Sequence, residues 1–203
     1  MRKSLLIVSL VALALGAYAA AEPAGVSVGG FLSYWDADDA DDPALGLGAK
    51  GGFEVMPNVV AEARVSMYQF ESKEEGDKMT LDVMPLEVGA VYQLPLADTI
   101  SVFAGGGVGY YVTSLDADLD IEDDLPGAVD FDAESDNAFG YYLIGGGSFQ
   151  LAENISIFAD LKYTFLEVDV TLEADIVGMG HVKESDTANL DGLAIEGGAA
   201  IKF

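Results

Sequence analysis

The sequence predicts an all-β fold: an eight-stranded antiparallel up-and-down transmembrane β-barrel preceded by a cleavable signal peptide. Three observations predict it. Eight stretches alternate apolar residues with small or charged ones at period 2, the pattern of a strand with one apolar face. The connections between them run long, short, long, short, long, short, long, which in an up-and-down barrel gathers every short turn at one end and every long loop at the other. The amino terminus has a basic start (Arg2, Lys3), an apolar core from Leu5 to Leu15 and a small-x-small Ala17-Tyr18-Ala19, the layout of an export signal. That core is shorter than the ~20 residues a spanning helix needs. Residues 1–21 are therefore expected to be the signal peptide and residues 22–203 the barrel.

The elements follow in order. The first strand is expected over Gly25 to Trp35, with Val26, Val28, Gly30, Leu32 and Tyr34 on one face and Ser27, Gly29, Phe31, Ser33 and Trp35 on the other. The acidic loop Asp36 to Pro43 leads to a second strand, Ala44 to Met56, and Pro57-Asn58 is a tight turn. The third strand, Val59 to Glu71, and the charged loop Ser72 to Lys78 precede a fourth strand, Thr80 to Leu94, and the short turn Pro95 to Asp98. The fifth strand, Thr99 to Leu115, opens into the longest loop, Asp116 to Asp136. The sixth is Asn137 to Leu151, the turn Ala152 to Asn154, and the seventh Ile155 to Leu172. A last loop from Glu173 to Ala188 leads to the eighth strand, Leu190 to Phe203. Leu81 and Val83 fall out of phase with Leu86 and Val88, and Val168 and Val170 with Phe165. A bulge or departure from the bilayer would explain either slip.

Charge and composition narrow the class. The net charge is −26, and becomes −28 once Arg2 and Lys3 leave with the signal. A nucleic-acid partner is excluded in practice, because phosphate binding needs a basic surface. The chain is also 51% hydrophobic, which is not a disordered composition, so charge and apolar surface must be segregated in space. Cysteine is absent, so stability rests on packing and hydrogen bonds.

Aromatic placement decides between a lipid-facing and a water-soluble barrel. On the apolar face Phe53, Tyr92, Phe149 and Phe203 fall near the short-turn end, and Tyr34, Tyr110, Tyr141, Tyr163 and Phe165 near the long-loop end. Two aromatic belts with small or aliphatic residues between them mark a surface that meets two membrane interfaces. The opposite face then points into the barrel. It carries Lys50, Glu54, Glu62, Arg64, Glu87, Asp160, Lys162 and Glu196, expected to form a buried ion-pair network, because an isolated buried charge is costly. Eight strands leave an interior that side chains can fill, and inward glycines make room for the long ones. A plugged barrel is expected.

On this architecture and the terminal Ile201-Lys202-Phe203, the chain resembles the small OmpA/OmpX-type eight-stranded outer-membrane barrels, the opacity-like, porin-like family. The resemblance implies a Gram-negative outer membrane, extracellular long loops and periplasmic termini. It also implies that the last strand, with Ile201 and Phe203, is the signal read by the barrel-insertion machinery. No C-terminal peptidoglycan-binding domain is expected.

The runs Gly105-Gly106-Gly107-Val108-Gly109 and Gly145-Gly146-Gly147 lack the Lys-Ser/Thr pair of a phosphate loop. The acidic loops read first as solvated caps. Asp116, Asp118, Asp120 and Glu122 are the metal candidates, spaced as in a calcium loop, but Ile121 stands where that loop needs Gly and Gly127 where it needs Glu. His181, the single histidine, has Glu184 and Ser185 nearby, the ingredients of a lipid hydrolase without a marked nucleophile. The expectation is a non-enzymatic, monomeric barrel with no cofactor, in outer-membrane lipid, with a structural or interaction role and divalent cations as candidate loop ligands. A narrow cation-selective channel is the alternative, and a lipid-modifying enzyme the remote one.

Overall fold

The computed structural model describes residues 25–38, 40, 42–74, 77–118, 130–135, 137–176 and 180–203; the expected signal peptide lies outside them. Eleven strands follow one another: β1 (Val26–Ala37), β2 (Ala44–Met56), β3 (Val59–Glu74), β4 (Asp77–Ala97), β5 (Ile100–Asp118), β6 (Asp130–Ser135), β7 (Ala138–Ala152), β8 (Ile155–Phe165), β9 (Glu167–Ile176), β10 (Gly180–Asn189) and β11 (Gly192–Lys202). Eight of them form a closed barrel, in the order β1-β2-β3-β4-β5-β7-β8-β11. Every barrel pairing is antiparallel, and β11 closes on β1 with Val28 opposite Ile201 and Tyr34 opposite Ile195. Closure satisfies each strand's backbone groups, which lipid cannot do. Among the described residues no helix is long and apolar enough to cross a membrane.

The outward face is apolar along the barrel. Leu32, Leu45, Leu47, Val88, Val108, Leu143, Leu161 and Ile195 are exposed, and so are Phe53, Tyr92, Phe149 and Phe203 at one end and Tyr34, Tyr141 and Tyr163 at the other. At the long-loop end the rings pack on one another: Tyr141 stacks on Phe165 at 4.4 Å between centroids, and Tyr110 lies 4.9 Å from Phe139. At the short-turn end, Asn58 takes a left-handed conformation with φ 66°, which Asn tolerates better than most residues.

The long connections contain more structure than the alternation predicts. The expected seventh strand ends at Phe165 instead of Leu172. At Leu166 the ladder is interrupted: its N–H donates to the Asp191 carboxylate at 2.6 Å, and its carbonyl accepts from Leu190 N–H at 2.8 Å. Beyond that point β9 pairs with β10 and β6 in a separate three-stranded sheet. The expected loops Asp116–Asp136 and Glu173–Ala188 thus contain β6, the end of β9 and most of β10. β9 itself alternates Val168, Val170, Leu172, Ala174 and Ile176 with acidic residues and Thr171, so the same period-2 pattern continues into a second sheet.

Neither phase slip is a bulge. Along β3 and β4 the register is the same at Arg64–Glu87 and at Tyr68–Val83, with the ladder interrupted only around Pro85, which has no N–H to donate. Val83 and Glu87 both point inward and are buried, and so do Lys162, Thr164, Leu166 and Val168 on the other side. The pleat continues; the inner face itself turns apolar toward the long loops. Val170 belongs to β9, and its side chain lies outside the described residues.

Candidate functional site

The interior has three levels, and strand register builds each of them. At mid-depth Lys50 lies opposite Arg64, Arg64 opposite Glu87, Ser33 opposite Glu196, and Glu196 opposite Asp160. Directly paired neighbours share a face, so charges far apart in sequence converge in one layer. Arg64 is the hub. It donates to Glu62 at 2.9 Å and to the Glu196 carboxylate, and lies 3.9 Å from Glu87 and 3.7 Å from Asp160. Lys162 donates to both Glu87 oxygens at 2.9 Å and lies 3.4 Å from Glu196. Lys50 lies 3.5 Å from Glu62 and 4.0 Å from Asp160. Arg64, Glu87, Asp160, Lys162 and Glu196 are each no more than 4% exposed. At that depth the charges depend on one another and not on solvent.

Hydroxyls and rings complete the layer. Tyr111 donates to Glu87 at 3.0 Å, Ser33 to Glu196 at 3.5 Å, and Tyr68 to Ser33 at 2.8 Å. The Lys50 ammonium sits 3.6 Å from the Phe158 ring centroid, and the Arg64 guanidinium 4.9 Å from that of Phe31. Such cation–π contacts suit a desolvated cation. Sequence reasoning missed these partners, but a signal for them exists. Phe31 faces Gly48, Tyr68 faces Gly46, Tyr142 faces Gly107 and Phe158 faces Gly198 on neighbouring strands. A side chain at Gly48 would collide with the Phe31 ring, and one at Gly46 with the Tyr68 ring. Inward glycine opposite inward aromatic is legible once register is known.

Above the layer, toward the long loops, Trp35, Tyr68, Phe70, Val83, Tyr111, Leu166, Val168, Leu190 and Ala194 form a buried apolar cap. The Trp35 ring meets Tyr68 and Phe70 edge-on at 5.0 and 5.4 Å. Below the layer, toward the short turns, a vestibule of about 420 Å³ opens. Its walls mix hydroxyl and amide side chains such as Ser27, Gln93, Ser101 and Gln150 with charged ones, Lys50 and Glu62 among them, and with the rings of Phe103 and Phe158.

Seven of the eight expected interior charges meet in the layer, namely Lys50, Glu62, Arg64, Glu87, Asp160, Lys162 and Glu196. Glu54 does not. It is exposed at the short-turn mouth, where the Asn58 N–H donates to it at 3.4 Å. Of the metal candidates, Asp120 and Glu122 lie outside the described residues, and Asp116 and Asp118 are described only as backbone at the end of β5. Among the described residues no group of three or more His, Cys, Asp or Glu side chains is arranged to hold a metal. His181, Glu184 and Ser185 lie on β10, with His181 opposite Asp175 and Ser185 opposite Thr171; their side chains lie outside the described residues. Ile201 and Phe203 are exposed on the outer face at the end of the chain.

Solved outer-membrane proteins share this architecture. OprG from Pseudomonas aeruginosa superposes with a TM-score of 0.67 at 19% identity, covering 89% of this chain and 97% of that one. A major outer membrane protein from Thermus thermophilus gives 0.61 at 16% identity, over 88% and 98%. Neisserial surface protein A gives 0.56 at 14% identity, over 88% and 96%. At these identities the likeness is one of fold alone. No curated protein matches the sequence. The family model described as the outer membrane protein beta-barrel domain matches residues 5–203, and with the closed eight-stranded barrel and its lipid-facing girdles this chain belongs to that family of outer-membrane barrels.

Proposed function

We propose that the protein is a sealed outer-membrane barrel with a structural and interaction role, holding an acidic surface outside the cell. The observation that carries this reading is the double filling of the bore. A charged layer spans mid-depth, and an apolar cap with Trp35 and Tyr111 buried to 2% and 0% exposure lies above it. The long loops and the β6-β9-β10 sheet face the exterior in this reading, and the termini face the periplasm. The exposed, apolar end of the chain, Ile201 in β11 and Phe203 just after it, is offered to the insertion machinery. The acids at the end of β5 and after it, Asp116, Asp118, Asp120 and Glu122 among them, favour cationic partners, divalent ions included, and a single chain suffices because the barrel closes on itself. Planar-bilayer recording of the refolded protein tests the proposal: no steady single-channel current is expected, and a large steady current overturns it. The same recording addresses a second reading, a narrow cation-selective pore, which the vestibule favours because Glu54, Glu62, Asp98 and Glu153 lie among its lining. That reading requires a small current that selects cations.

A further inference from the structure

The mid-depth layer contains four carboxylates, Glu62, Glu87, Asp160 and Glu196, and three cations, Lys50, Arg64 and Lys162. Each cation has its own nearest acid. Arg64 bonds Glu196 and Glu62, Lys162 bonds both oxygens of Glu87, and Lys50 leans on Glu62. Asp160 is the acid left over. Its side chain is completely buried, yet neither oxygen accepts a hydrogen bond, and its nearest cations stand off at 3.7 and 4.0 Å. It also sits directly opposite Glu196 across the β8–β11 pairing, where two like charges destabilise a sheet. Ionised, Asp160 would leave one uncompensated negative charge within the bilayer's thickness, the arrangement most costly for a buried carboxylate.

We propose that the layer binds one exchangeable proton on the Asp160 carboxyl, supplied from the vestibule past Lys50 and Glu62. The step is a simple protonation: a carboxylate oxygen takes a proton from hydronium in the vestibule water, which leaves as water, and becomes a neutral acid. The groups facing it are Lys50 from β2, Glu62 and Arg64 from β3, Glu87 from β4, Tyr142 from β7, Lys162 from its own strand and Glu196 from β11. With the proton in place they sum to zero charge. The route is short, because Lys50 and Glu62 line the vestibule and keep 12% and 11% of their side chains exposed. The inference stands on the layer alone and is independent of the role proposed for the loops.

Infrared spectroscopy of the refolded barrel in phospholipid bilayers at neutral pH tests it. A protonated-carboxyl C=O band is expected, shifted by carboxyl-¹³C-labelled aspartate and lost in Asp160→Asn. The labelled wild type answers even if that variant does not fold. In urea titrations Asp160→Asn is expected to leave the unfolding midpoint unchanged or raised, whereas Glu196→Gln lowers it. A labelled wild type without such a band at neutral pH overturns the proposal. So does a band that survives in Asp160→Asn, or an Asp160→Asn midpoint that falls as far as that of Glu196→Gln.

Discussion

At mid-depth the bore is filled by seven ionisable side chains, and nearer the long loops by Trp35, Phe70, Val83, Leu166 and their apolar neighbours. Both levels close the same tube, from opposite materials. The charged layer holds only while every charge has a partner, so it depends on geometry and on stoichiometry. The apolar cap gains from each buried surface separately, by roughly 25 cal/mol per Å². Removing one member therefore hurts the two levels differently. In the layer it strands the partners that remain, and in the cap it leaves a cavity. The cap also lies against the junction where β8 gives way to β9 and β10 to β11, bridged by the Leu166 N–H donating to Asp191. The layer sits wholly on barrel strands in continuous register.

The sharpest way to break the comparison is Arg64→Leu. It removes the hub that serves Glu62 and Glu196, and unpairing buried charges costs about 3–5 kcal/mol. A large fall in the urea midpoint of the bilayer-inserted protein is expected. A loss below about 1 kcal/mol would mean that water, not Arg64, satisfies those acids. Trp35→Ala comes next. Truncating a buried Trp in a packed core costs about 3 kcal/mol, while the charged layer beneath still closes the bore. The variant is expected to unfold earlier yet carry no steady current; a current would make the cap the only seal. The smallest effect is expected at the short-turn end, remote from both levels. Asn58→Ala places a Cβ residue with less tolerance for φ 66° at the turn, for about 1 kcal/mol. Its unfolding midpoint should drop slightly, with the interior network unaffected.

How legible was this in the sequence? The barrel was legible because lipid demands a continuous apolar face and period 2 displays it, from Val28–Tyr34 through Leu193–Phe203. The charged layer was legible in membership, since Lys50, Arg64, Glu87, Asp160, Lys162 and Glu196 each fall on the inward phase. Glu54 shares that phase but not that depth, and phase carries no information on depth. The apolar cap was hidden for a related reason. Leu81 and Val83 looked like a break in alternation because an inward apolar residue and an outward one are the same letter. Similarly, the slip between Phe165 and Val168 marks the end of β8 and the start of β9 but does not say that the pairing partner changes there. The boundary at Leu166 is made by Asp191, 25 residues away.

The sequence by itself determined the strand alternation, the girdles and which face carries charge, because these follow from solvent preference along one strand at a time. Only the tertiary structure decided who meets whom. It set Arg64 against Glu196 across 132 residues, Phe31 over Gly48, and Asp160 beside Glu196 without a hydrogen-bond partner. Those contacts depend on the stagger between strands, which is fixed only when the sheet closes and all eight registers must agree at once.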